Sequence, residues 1–165
     1  MITYMSVGDK LIKLKMSAGV LLRYKEQFGV ECTDEYNEIS KMIENNADKM
    51  AISEKIIRNA KRMLFCMSNA DADMLSVTLN DENIKEINEI FYKSLPKDNK
   101  DNSSSTSFSS EKFTAICLEC GLTMQDIDNY SLKFIMNIIT EHINLHKTSN
   151  KDNVRMATQA DIDRL

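Results

Sequence analysis

The sequence predicts a mainly α fold: an N-terminal β-hairpin, a small helical bundle, a flexible linker and a short helical C-terminal extension. Three observations lead there. One proline and four glycines in 165 residues remove most of the punctuation that sheets and tight loops need. Apolar residues recur at the 3.6-residue helical period in five or six stretches. The run PKDNKDNSSSTSFSS, residues 96–110, is polar and low in complexity, so it buries too little to order itself. The expected partition is therefore 1–95 as an N-terminal domain, 96–110 as linker and 111–165 as extension.

The elements follow in order. Ile2 and Tyr4, then Leu11, Leu14 and Met16 with lysines between them, flank Gly8-Asp9, a pair suited to the positive φ of a hairpin turn. Ser17 is placed as an N-cap, Ala18, Leu21, Leu22 and Phe28 form one apolar face, and Gly29 ends that helix. A second helix is expected from about Asp34 to Ala47, with Tyr36, Ile39, Ile43 and Ala47 on one side. A third, capped by Ser53, carries Ile56, Ile57, Ala60, Met63, Leu64 and Met67. A fourth spans about Asp81 to Leu95, turning Ile84, Ile87, Ile90, Phe91 and Leu95 inward until Pro96 stops it. Beyond the linker come a short helix from Ser110 to Cys120, a Gly121 stop, a cap at Thr123 and a longer helix from Ser131 to about His146. Its face is Leu132, Ile135, Ile138, Ile139 and Ile143, and residues 147–165 read as a frayed tail.

Composition excludes several function classes. A formal charge of −4 and a pI near 5.3 provide no global field to hold a polyanion, so nucleic acid is not an expected partner. The most apolar stretch, Leu132 to Leu145, is interrupted by Lys133, Asn137, Glu141 and His142 and falls short of the roughly 20 residues a membrane span needs. Cys32, Cys66, Cys117 and Cys120, with no charged-then-apolar leader ahead of them, suggest free thiols in a reducing cytoplasm. Eleven methionines supply flexible, polarisable side chains that repack against irregular surfaces or fill the core.

No catalytic motif emerges, and neither an enzymatic activity nor a cofactor is expected. Cys117-x-x-Cys120 with His142 and His146 suggests zinc, but the cysteines sit on the periodic face of a helix and the gap to the first histidine is too long for a finger. The histidines have the spacing of a metalloprotease helix without its glutamate at the second position. Phosphate-cradling glycine loops are missing, and Asp71, Asp73, Asp126 and Asp128 read as caps or solvated turn residues. Lys10, Lys13, Lys15, Arg23 and Lys25 form the one basic cluster, read as a solvent face.

Three stretches carry a resemblance. LKMSAGVLLRYKEQFG (14–29) resembles the opening of the tail assembly chaperones of long-tailed bacteriophages and prophages, and CLECGLTMQDIDNYSLKFIMNII (117–139) is similar to the C-terminal extension of their longer form. MATQADIDRL (156–165) looks like the short polar end of that extension. The resemblance implies a virion assembly factor that coats the tape measure protein, keeps it soluble and recruits the tail tube protein. It implies action in the cytoplasm of a bacterial host, absence from the mature virion, and in many such phages a frameshift that adds the extension. Homo-oligomerisation stays open. Leu21, Leu22, Tyr24 and Phe28 are the expected client-facing residues, and Tyr130 and Phe134 the expected contacts for the tube subunit; the alternative for each is a core position. The alternative functions are a non-enzymatic helical adaptor or regulator of a prophage, and a zinc-stabilised module or minor hydrolase.

Overall fold

The computed structural model describes residues 2–95 and 108–152, with side chains through His146. Strands β1 (Ile2–Val7) and β2 (Lys10–Lys15) pair antiparallel, with Val7 opposite Lys10 across the turn and Ile2 opposite Lys15 at the open end. Gly8 takes φ +57° at the turn, a conformation that costs a residue with a Cβ. Alternation along the strands sends Met5, Val7 and Leu14 into the core. Ile2, Tyr4 and Leu11, three of the apolar residues that mark the hairpin in the sequence, lie on the opposite face and are exposed.

Helix α1 (Ala18–Phe28) ends as expected at Gly29, whose left-handed backbone directs its N–H to the Lys25 carbonyl. Helix α2 (Cys32–Glu44) begins slightly before the expected Asp34 and stops short of Ala47; Tyr36 and Ile39 are buried, but Ile43 is exposed. Helix α3 (Lys49–Met67) starts well before Ser53, because the Asp48 carboxylate accepts the Ala51 N–H at 3.1 Å and so caps the helix one turn earlier. Its first turn, Lys49 to Ile52, buries little, which hides the start from any periodicity argument.

Asn69 and Ala70 follow α3 with positive φ of 65° and 62°, so this glycine-poor chain closes its central helix without glycine. A single turn, α4 (Asp73–Ser76), intervenes; it was not expected, being too short for a period to show. Helix α5 (Asp81–Ser94) opens with a reciprocal capping box between Asn80 and Asn83. The Asn83 carboxamide also donates to the Ser6 carbonyl at 2.8 Å, which ties α5 to the hairpin.

Helix α3 is the hub. It meets α1, α2, α4, α5 and β2, and Ala60, Met63, Leu64, Cys66 and Met67 are almost wholly removed from solvent. Tyr36 of α2 stacks on Phe91 of α5 with ring centroids 4.3 Å apart and donates its hydroxyl to Asn88 at 2.7 Å.

The extension holds α6 (Ser110–Glu119), α7 (Met124–Asn129) and α8 (Leu132–Asp152). Helix α8 runs six residues past His146, into the stretch expected to fray; residues 153–165 lie outside the described part, as do Pro96 and most of the expected linker. The last linker residues belong to the structure. Ser109 caps α6 and Ser110, its first residue, is buried. No described helix is long and apolar enough to cross a membrane.

Candidate functional site: the seam and the aromatic face of the extension

The extension packs on α1 rather than standing apart, and small residues make that approach close. Ala18 is fully buried, and its N–H donates to the Tyr130 carbonyl at 3.0 Å. A Cβ built on Gly19 would strike the Asp128 carboxylate and come within 3.0 Å of the Asp128 Cα, so glycine is what lets α7 lie against α1. Ser17 occupies the N-cap position expected of it, but its hydroxyl is buried without a partner; the Tyr130 carbonyl meets the first-turn donor instead.

Polar side chains complete the seam. Arg23 donates to Asn69 at 3.0 Å and to Asp128 at 3.4 Å, and Lys15 donates to Asn129 at 2.9 Å. At the other end the buried Glu31 carboxylate accepts from the Ser110 N–H at 2.9 Å and the Ser110 hydroxyl at 2.7 Å, with Lys25 3.9 Å away. A buried carboxylate held by two donors and a nearby cation is adequately compensated. Asp126 sits in a capping box with Thr123, whose hydrogen bonds hold its carboxyl below the usual carboxylate range. It thus caps α7, as its sequence position suggested.

The expected client-facing residues of α1 divide. Leu21 and Tyr24 are core residues, at 1% and 0% exposure, because they lie on the face that meets α3; neither can touch a partner in this fold. Leu22 and Phe28 are half-buried. Tyr24 donates its hydroxyl to Glu35 and stands 2.8 Å from the Asn59 carboxamide oxygen, while Arg62 donates to Glu35 at 2.7 Å. Burial first, and the Glu35 hydrogen bond second, push the Tyr24 phenol far above its ordinary value. Tyr24 is therefore a neutral donor in a packed polar network. The Phe28 ring is covered on one face by the Arg62 guanidinium, 4.7 Å from the centroid.

Tyr130 and Phe134 differ: they are 43% and 48% exposed and form an aromatic pair with centroids 5.0 Å apart. Leu118 and Met124 of the extension are also more than half exposed. Two aromatic rings left in water at the junction of α7 and α8 have no part in the core.

The metal constellation does not assemble. Cys117 is buried, and desolvation pushes its thiol up to about 11; the half-buried Cys120 is pushed up for the same reason. His142 and His146 meet edge to face with centroids 4.3 Å apart, and among the described residues no three His, Cys, Asp or Glu side chains gather as a metal site. Set against known proteins, the chain matches no family model, no curated protein and no solved structure.

Proposed function

We propose that this protein is a tail assembly chaperone of a long-tailed bacteriophage or prophage, which binds the tape measure protein, keeps it soluble and recruits tail tube subunits. The observation that carries the reading is the exposed aromatic pair of Tyr130 and Phe134, borne on an extension that packs closely on α1 at Gly19 and Asp128. Two of the three stretches that resemble the family, 14–29 and 117–139, meet at this seam, and the third, 156–165, lies outside the described residues. An assembly factor of this kind has no chemistry to perform. It presents apolar surface to a long helical client, and many weak contacts along that client sum to avidity. In this reading the protein acts in the bacterial cytoplasm and leaves the finished tail.

Co-expression with the tape measure protein of the same phage tests the proposal. The client should stay in the soluble fraction with this chain and precipitate without it; equal precipitation in both cases refutes the reading. Replacing Tyr130 and Phe134 by serine should leave the client soluble and reduce capture of tube subunits.

A further inference from the structure

A second apolar surface lies on the far side of α1 from the seam residues of its first turn. Phe28, Ile57 of α3 and Leu75 of α4 line a groove of about 390 Å³, and Ile57 and Leu75 are 37% and 40% exposed. Around these three sit Arg58, Lys61 and Arg62, against a single lining carboxylate, Glu54. Positions 54, 57, 58, 61 and 62 follow the i, i+3, i+4, i+7, i+8 spacing, so the α3 side of the groove is one stripe about 12 Å long.

Arg62 is committed inward, to Glu35 and over the Phe28 ring. Arg58 and Lys61 are left to set the potential of the rim. In a chain whose formal charge is −4, this local excess of cations runs against the molecule as a whole. Helices form the walls, and their interior backbone groups are bonded within each helix, so the groove offers no open strand edge. An occupant must satisfy its own backbone, as a helix does.

We infer that the groove formed by Phe28, Ile57 and Leu75, with Arg58 and Lys61 on its rim, docks a partner helix whose apolar stripe is flanked by carboxylates. The inference deepens the chaperone reading by giving the chemistry of the client, and rests on that reading only for the client's identity.

The probe is a pair of fluorescein-labelled helical peptides that share one Leu/Ile stripe, flanked in one by Glu and in the other by Lys. By fluorescence anisotropy with the full chain, the Glu peptide should bind at least tenfold tighter than the Lys peptide, although the protein's net charge favours the reverse. The double variant Arg58→Glu/Lys61→Glu should invert this preference, and Ile57→Ser should weaken both peptides. Arg58→Ala/Lys61→Ala, which adds no new charge, should abolish the preference without inverting it. Equal binding of the two peptides by the natural chain, or an unchanged preference in the charge-reversed variant, would overturn the inference. A tape measure protein that precipitates despite co-expression, alongside selective Glu-peptide binding, would reject the chaperone reading and uphold the groove. Equal binding of the two peptides, alongside a client kept soluble by the natural chain, would do the opposite.

Discussion

Residues 2–95 gather their apolar side chains around the C-terminal half of α3, whereas the extension, 108–146, buries some of its own against α1 and leaves a larger share in water. The N-terminal part buries Met63, Leu64, Cys66 and Met67 along successive positions of α3, touched from several sides. The extension buries Phe113, Cys117, Ile127, Leu132, Ile135 and Ile139, but exposes Ile116, Leu118, Met124, Tyr130, Phe134, Ile143 and Leu145, a higher density of large apolar residues on the surface. The two parts share one buried core, but the extension, joined to α1 by a close backbone approach, leaves more apolar area on its surface.

Equivalent deletions should separate the two parts most strongly. Leu64 and Ile127 are both fully buried, and truncating either to alanine should cost about 2–5 kcal/mol. Leu64→Ala should lower the melting temperature of the whole chain. Ile127→Ala should accelerate amide exchange within 110–146 and leave 2–95 protected. A single common transition in both variants would mean that the two parts unfold as one unit.

A smaller effect, of about 1–3 kcal/mol, is expected from Gly19→Ala, because the added methyl overpacks the seam against Asp128. Loss of exchange protection should begin in α7, and Asp128→Ala in the same chain should restore part of it. Additive losses in the double variant would show that the two residues are not coupled.

The mildest test is alkaline pH. Burial lifts the thiols of Cys66 in the N-terminal part and Cys117 in the extension from 9.0 to about 12 and about 11. The folded chain therefore holds these protons after the unfolded chain has released them. Stability from this source is complete below pH 9 and declines above it, the loss levelling off near pH 11 for Cys117 and near pH 12 for Cys66. Denaturant titrations from pH 8 upward would show it; at neutral pH, Cys120, the least buried of the four cysteines, should alkylate first.

Much of this architecture could be read from the chain, and the failures have physical causes. Gly8-Asp9, Gly29, Gly121 and Thr123 mark real turns and caps because each imposes a local backbone requirement. The first turn of α3 was missed because Lys49 to Ile52 bury little and the Asp48 cap leaves no periodic trace. Both hairpin faces carry apolar residues, so alternation alone could not say that Met5 and Val7, rather than Ile2 and Tyr4, turn inward. Of the anticipated partner-binding residues, Tyr130 and Phe134 are surface-exposed, while Leu21 and Tyr24 are core. On an amphipathic helix the same stripe serves either purpose, and only the position of α3 decides. The Gly19 notch and the Phe28 groove join residues distant in sequence, and no window along the chain contains them.

The hydrogen bond from the Ala18 amide to the Tyr130 carbonyl has a temporal side. Ribosomes extend a polypeptide by roughly 5–20 residues per second, so after Ala18 is made on the order of ten seconds pass before Tyr130 exists. For that interval a nascent α1 has an open donor at its beginning and a bare glycine beside it. The N-terminal half is thus synthesised with a vacancy that only the last-made third of the molecule fills.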